Sequence, residues 1–305
     1  MSAMSNKRHI VGVGVATRDL IYRVAHYPAE DDELRAQSRH AACGGNAANT
    51  LNVLAQLGHR AIWVGTLAQD QDGQRLRHEL DALGVDTTYA AVHDCAQTPT
   101  SLILVSEATG SRTIVHHRNL SELSVAEFCQ VPLADCDWIH FEGRNPEATA
   151  QMIAHVQRQR PELPISIELE KPRPNIEALL QPVALLIAAR GYVEAQGAAS
   201  DPAAFATQLQ AHSKAALCVV PWGAAGVYYC DHRQKPQHLP AYQPPQIIDT
   251  LAAGDVLNAA LIDGLLHGLP TEQVLLRAQR LAGYKCAHVG LNGLVAATIA
   301  AGLLD

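Results

Sequence analysis

Short runs of branched apolar residues alternate with segments of helical periodicity along this chain, and that alternation narrows the fold more than any other feature. Ile10–Val15 has the length and composition of a buried strand. The segment 45–57 follows as a helix, with Ala47, Leu51, Leu54 and Leu57 on one face and Gly58 as its stop. Ala61–Thr66 is the next predicted strand, and Leu76, Leu80 and Leu83 mark a helix closed by Gly84. Further strands are predicted at Trp138–Glu142, Ile165–Glu170, Val183–Ala188 and Leu217–Pro221, with helices between them. One of these helices opens at Asp201-Pro202, with aspartate as cap and proline at the first helical position. Helices near 253–266, 271–288 and 294–304 fill the last third. Strands joined by helices of about ten to fifteen residues predict βαβ units, hence an α/β fold with a mostly parallel sheet.

Two segments break the rhythm. Ser101–Val105 and Arg112–His116 flank the turn Ala108-Thr109-Gly110-Ser111 and predict a hairpin, and the stretch near 15–42 fits no βαβ unit. Together they predict a small separate sheet or lid. Ser124-x-x-Glu127 is a capping-box pattern at the start of a short helix. The 305 residues allow one large or two ordinary domains, and 48% hydrophobic content excludes general disorder. The formal net charge of −7 argues against a nucleic-acid partner, which needs a concentrated basic face. It leaves room for a small phosphorylated ligand, for which a few local donors suffice. Seven cysteines, none in a C-x-x-C pair, form neither a disulfide framework nor a zinc signature, and they read as apolar fillers in a reducing compartment. No run approaches the ~18 apolar residues of a membrane span. We therefore expect a cytoplasmic chain with no membrane association.

The chemistry concentrates in two segments. In Asp249-Thr250-Leu251-Ala252-Ala253-Gly254-Asp255, a small-residue turn leads into a helix, where free N–H groups and the dipole suit an anion. Asp255 at the helix start reads equally well as an ordinary N-cap or as a base beside the anion. In Cys43-Gly44-Gly45-Asn46-Ala47-Ala48-Asn49, two glycines open a helix with Asn46 and Asn49 three apart on one face. That pair is either a turn with a cap or two amides for sugar hydroxyls. Gly12-Val13-Gly14 lacks the third glycine and the prompt helix of a dinucleotide loop, so a nicotinamide dehydrogenase is disfavoured. Adjacent His116 and His117 face opposite ways on a strand, which argues against a shared metal there.

These segments resemble the signatures of the ribokinase-like, PfkB-type carbohydrate kinases. GGNAANTLNVLAQLG matches the first signature and DTLAAGDVLNAAL the second. YPAEDDELR (27–35), GSRTIVHH (110–117), WIHFEGRNPE (138–147), IELEKPRP (167–174) and AGYKCAHVGLNG (282–293) resemble the ketohexokinase branch. The resemblance runs along nearly the whole chain. It implies one ribokinase-like domain over 1–305: a three-layer sandwich with a small β-sheet lid, or clasp, from segments 15–42 and 98–118. It also implies an ATP-dependent sugar kinase with Mg2+ and a monovalent cation as candidate activator. A ketose such as fructose would become a 1-phosphate. The alternatives are a ribose, sugar-acid or nucleoside kinase, or a non-catalytic sugar- or nucleotide-binding relative. By the same resemblance the chain pairs into a homodimer through its clasp.

The resemblance also assigns roles. Asp255 matches the general base, and Ala252, Ala253 and Gly254 match the anion hole. Asp19, Asp31, Gly45, Asn46, Asn49 and Glu142 match sugar-side positions. Arg112, Lys171, Gly223, Gly226 and Asn258 match phosphate- or nucleotide-side positions, with the adenine between the 222–226 turn and the helix near 282–290. Glu170 and Glu194 match acids that act on the metal, indirectly. An unphosphorylated sugar fits this lining of carboxylates and amides, because alternation turns Arg18 away from Asp19. The chain departs from the family pattern in four places: Ala252 replaces the first glycine of the turn, Gly191 an asparagine, Cys43 an arginine, and Gly223-Ala224-Ala225 stands where acids are usual.

Overall fold

The structure is a computed structural model and describes residues 7–232 and 235–304. The chain begins with β1 (His9–Val13), β2 (Thr17–Val24), β3 (Ser38–Gly44), α1 (Asn46–Gln56), β4 (Arg60–Val64), β5 (Thr66–Ala68), α2 (Gln71–Ala82) and β6 (Val85–Asp86). It continues through β7 (Ala91–His93), β8 (Thr100–Ser106), β9 (Arg112–His117), α3 (Val125–Phe128), β10 (Trp138–Glu142), α4 (Pro146–Gln159), β11 (Ile165–Leu169) and β12 (Leu185–Ala188). It ends with α5 (Arg190–Ala195), α6 (Pro202–Ser213), β13 (Leu217–Pro221), β14 (Val227–Asp231), β15 (Gln237–Leu239), α7 (Ala253–Leu266), α8 (Thr271–Lys285) and α9 (Leu294–Ala300).

Nine strands form the main sheet in the order β15-β14-β13-β12-β11-β10-β1-β4-β6, parallel from β12 through β6 apart from the β13–β14–β15 antiparallel edge, with β13 itself parallel to β12. Both faces are covered, as the near-continuous apolar strands require. Ile10, Ala61, Trp63 and Trp138 pack under α1, α2, α7, α8 and α9 through Leu51, Leu76, Leu261, Leu275 and Leu294. Val11, Ile62, Val64, Ile139 and Phe141 pack on the other face against Phe128, Met152, Ile153, Val193 and Leu209. The predicted three-layer sandwich is therefore present. Gly12 and Gly14 are packing positions: a Cβ on Gly12 would lie 2.7 Å from a Leu51 methyl, and one on Gly14 would lie 2.6 Å from the Ala47 Cβ.

The segments that broke the alternation form their own four-stranded sheet, β3-β2-β8-β9. β8 and β9 are the predicted hairpin, and β2 lies parallel to β8 with Asp19 opposite Ser101. Ser124 and Glu127 make the predicted capping box, and Asp201 accepts from the Ala204 N–H. No helix among the described residues is long and apolar enough to cross a membrane. The seven cysteines are all free thiols. Cys136, Cys218 and Cys230 are buried fillers as expected, whereas Cys95 and Cys129 are exposed.

Topology fixes where a ligand can bind. From β1 the chain steps one way to β4 and β6, then returns to the other side of β1 through β10 and on to β15. The order reverses between β1 and β10, and the crevice beyond the carboxyl ends of these strands is the natural site in an open α/β sheet.

Candidate active site

Glu142 ends β10 at this reversal point, and its Oε2 accepts a 3.0 Å hydrogen bond from the Val15 N–H just past β1. Register pairs Glu142 with Glu168 on β11, so two carboxylates stand side by side on the face that meets α1 and α7. Asp255, in the first turn of α7, is the third buried acid. Asn46 Nδ2 donates to Glu168 Oε2 at 3.1 Å, and Asn49 Nδ2 donates to Asp255 Oδ2 at 2.8 Å. Thr50 Oγ1 also reaches the Asp255 carbonyl at 3.3 Å. The two signature helix starts are thus tied to each other and to the sheet. Gly45 permits the turn before α1: its φ is 111°, and a Cβ there would lie 2.0 Å from the Val15 carbonyl.

Burial sets the electrostatics of the three acids. It raises Asp255 well above the ordinary carboxylate range, with the charge of Glu168 adding to the rise and the Asn49 hydrogen bond opposing it. Glu168 is pushed up to about 7, first by burial and then by the Glu142 charge. Glu142 is raised by burial, against which the Arg144 guanidinium at 3.6 Å acts. Arg144 also meets Glu122 at 3.1 Å, which in turn meets Arg118 at 3.3 Å. These four side chains line a small cavity at the reversal point together with Gly14 and Val15.

The turn before α7 is held from below. Lys285 is fully buried at the end of α8, and its Nζ donates to the Asp249 carbonyl and to Asp249 Oδ2, both at 2.9 Å. The Gly290 N–H donates to the same carboxylate at 3.0 Å. Burial alone would raise Asp249, but these donors and the Leu251 N–H bring it below the usual range. Ala252 caps α7 at φ 63° and ψ 10°, the left-handed conformation that favours glycine. Its departure from the signature glycine therefore carries strain while keeping its N–H.

The remaining predicted residues divide. Asp19 lies beside Gly44, accepts from Thr17 Oγ1 at 2.9 Å, and is raised by burial against the Thr17 and Ser101 hydrogen bonds. Arg18 turns away to pair with Glu79, as alternation predicts. Arg112 on the small sheet reaches Thr250 Oγ1 at 3.4 Å and so approaches the turn. Glu170 pairs with Lys171 at 3.2 Å just past β11. Asp31 sits at an exposed turn with φ 64°, and no described side chain bonds to it. Glu194 is exposed and engaged by Arg190 at 2.6 Å, whose guanidinium also lies 5.2 Å from the Trp222 ring centre. Gly223 and Gly226 have φ of 59° and 98° in their turn. Residues 242 and 243 bridge this turn and α8: Gln243 donates to the Ala224 carbonyl, and a Cβ on Gly283 would meet the Tyr242 carbonyl. Asn258 is buried one turn after Asp255, beside Glu168, where its carboxamide favours the charged form although its Nδ2 makes no hydrogen bond to the described protein. That places it beside Glu168 in the crevice.

Sequence reasoning missed Glu168 and Lys285. The signal for Glu168 was the alternation Ser166, Glu168, Glu170 against Ile165, Ile167, Leu169 in a strand predicted to be covered on both faces.

An anion-suited helix start, a buried carboxylate at that helix start and polar groups at the reversal point under a second sheet are the features of an α/β small-molecule phosphotransferase. The chain belongs to the pfkB family of carbohydrate kinases, whose model matches residues 7–297. It is 30% identical to ketohexokinase from Mus musculus over 95% of this chain and 99% of that protein. It is 24% identical to ribokinase from Bacillus subtilis (strain 168), over 94% and 95% of the two chains. Arabidopsis thaliana ribokinase, solved with ribose and ATP, superposes with a TM-score of 0.73 at 19% identity, covering 93% of this chain and 94% of that one. The protein is thus a sugar kinase, an enzyme that phosphorylates a sugar hydroxyl.

Two outcomes follow from this geometry. Ala252→Gly relieves the left-handed alanine and raises stability by about 0.5–1 kcal/mol after glycine's own entropy is counted, read as a higher thermal midpoint; an unchanged or lower midpoint refutes the strain. Glu168→Gln removes a like charge beside Asp255, so the Asp255 pKa falls and the acid limb of the kcat/KM profile moves to lower pH. In the wild type Glu168 rises from 4.5 to about 7 on folding, so stability falls as pH rises between those values, where the unfolded chain ionises and the native carboxyl stays protonated. The variant should lose that part of the pH dependence in denaturant titrations, and an acid limb that stays in place or moves up contradicts the coupling.

Proposed function

We propose that this kinase transfers the γ-phosphoryl group of ATP to a primary hydroxyl of a ketose such as fructose, giving the 1-phosphate, and that residues 1–305 act as one ribokinase-like domain. The observation that carries the reading is the buried Asp255 at the start of α7, oriented by Asn49 through Oδ2. Its other oxygen is left to accept the proton of the attacking hydroxyl. Its raised pKa makes it a stronger base than a surface aspartate, and such assistance is worth about 10²–10⁴ in rate. The N–H groups of Ala252 and Gly254 would serve the transferring group as fixed dipoles, with the Ala253 N–H, which lies 3.4 Å from the Thr250 carbonyl, turning to join them and Arg112 approaching from the small sheet. The reaction is then mostly positioning and charge stabilisation.

Asp19, Gly45, Asn46, Asn49 and Glu142 would hold the sugar, with Asp31 reaching it from the lid turn. Their neutral and acidic character supports an unphosphorylated substrate, since Arg18 and Arg144 are already paired. The mouse ketohexokinase likeness favours a ketose, and the ribokinase likeness makes a pentose the competing reading. Lys171, Gly223 and Gly226 would lie on the nucleotide side. A magnesium ion fits the oxygen donor Glu170 better than Glu194, which Arg190 occupies. When bound, that ion would offset phosphate charge. The exposed Leu102, Ile114 and Val115 on β8 and β9 support a clasp-mediated homodimer. The free thiols support a cytoplasmic setting.

A coupled assay with ATP and Mg2+ over fructose, other ketoses, ribose, sugar acids and nucleosides tests the reading. Fructose should give the highest kcat/KM, and Asp255→Asn should lower kcat by about 10²–10⁴ with folding intact. Near-wild-type turnover in that variant removes Asp255 as base, and a ribose preference replaces the ketose. Binding of ATP without turnover of any sugar would mark a non-catalytic relative. Sedimentation of Val115→Asp against wild type addresses the dimer: the wild type should run as a dimer and the variant as a monomer, and a monomeric wild type ends that part of the proposal.

A further inference from the structure

The far end of α7 carries a second cluster of ligating side chains that the kinase reaction does not use. Asp263 and His267 stand four residues apart, on one face of the last turn of α7. His59 joins them from the loop between α1 and β4. His59 Nε2 lies 3.0 Å from Asp263 Oδ1, and His267 Nδ1 lies 3.3 Å from the same oxygen. The three ligating atoms all fall within 4.8 Å of one another, and the two imidazole rings approach to 5.9 Å between centres. His59 and Asp263 are buried, and His267 is open to solvent.

We propose that His59, Asp263 and His267 form a site for a zinc-like divalent ion, distinct from any magnesium at the phosphates. Two imidazoles and a carboxylate are the donor set that zinc and its borderline neighbours prefer over calcium or magnesium. For bonds of about 2.0–2.1 Å, a tetrahedral site has ligand-to-ligand edges of about 3.3 Å, which the two short separations match. Arg277 Nη2 meets Asp263 Oδ2 at 3.3 Å and holds the other carboxylate oxygen, leaving Oδ1 directed at the histidines. The C-terminal pole of a helix favours a cation. Without the ion, the imidazole nitrogens face Asp263 directly, and His267 Nδ1 also lies 2.8 Å from the Asp263 carbonyl. Ion binding takes that nitrogen from the carbonyl and places the imidazole protons on the opposite ring atoms. His59 Nδ1 is buried without a hydrogen-bond partner, so the outer carbonyl or carboxylate that usually fixes a ligating imidazole is missing there. The site is accordingly weaker than a closed structural zinc site, with water completing its exposed side. Its effect is to clamp α7 to the loop before β4, about 15 Å along the helix from Asp255.

Zinc titration of the full chain against a chromophoric chelator tests the site, with His267→Ala as the exposed-side variant and His59→Gln as the buried one. Cys95 and Cys129 are exposed, and any zinc they take up is common to all three proteins, so the readout is the difference between them. Wild type should hold one equivalent more than either variant. At a hundredfold excess of zinc over its Kd the unfolding midpoint should rise by roughly 4 °C, and this gain should vanish in His267→Ala. Cobalt in the extra site should show ligand-field bands without a thiolate charge-transfer band. Equal zinc content and equal midpoint shifts in wild type and His267→Ala overturn the proposal, whatever the kinase assay gives.

Discussion

Glu142, Glu168 and Asp255 are buried together at the reversal point of the sheet, and much of the surrounding structure exists to tolerate them. Isolated buried carboxylates are prohibitively unfavourable, and three in one crevice add mutual repulsion. The fold answers with donors from four directions: the Val15 amide, Arg144, Asn46 and Asn49. Three of those donors, Val15, Asn46 and Asn49, lie past the end of β1 and at the start of α1, which explains why the glycine pair and the first strand must meet so closely. Deep in the sheet the same face stays polar, where Ser166 Oγ takes the Trp138 indole N–H at 2.8 Å and lies 2.9 Å from His140 Nδ1. Burial lowers His140 to about 4, so this seam adds no positive charge to offset the acids.

Local pattern made most of the fold legible. Period-two and period-3.6 runs, capping residues and the positions of Gly58, Gly84 and Asp201 specify elements within a few residues of where they lie. The expected Ile165–Glu170 strand ends at Leu169, and the expected 271–288 helix ends at Lys285. Family signatures placed Asp255, Asn46 and Asn49 in one site. What stayed hidden depends on partners far along the chain. Glu168 looks like a solvated strand residue until Asn46, 122 residues away, covers it. Lys285 looks like a helix-end lysine until Asp249 draws it into the interior.

The turn before α7 shows how a signature can change a residue and keep its backbone. The alanine at 252 retains the amide and the left-handed backbone. The strain is held in place by Lys285 and Gly290 from outside the turn and by Leu251 within it, all of which donate to Asp249. Three donors on one carboxylate fix the start of the loop, and the first turn of α7 fixes its end. Thr250, between them, is the residue that Arg112 of the small sheet reaches. The acid excess of the chain is compatible with binding phosphates for the same reason: amide dipoles and one arginine act locally, and net charge acts only at long range.

Helix α7 joins these themes, because its two ends treat an aspartate oppositely. Its middle, Val256 through Ile262, is buried on all sides, so neither end can be relaxed into solvent. At the N-terminus the dipole favours the charge of Asp255, and it is burial and neighbouring carboxylates that raise its pKa. At the C-terminus the dipole opposes the charge of Asp263. Burial would raise Asp263 as well, yet it titrates below the usual range, because His59, His267 and Arg277 surround it. One end of the helix therefore leaves its aspartate under-compensated and basic, ready to take a proton. The other over-supplies donors to an aspartate that has no proton to take. A carboxylate raised above its ordinary range and an anchor for the helix thus arise from the same residue type, and the difference lies in the number of donors the fold brings to each end.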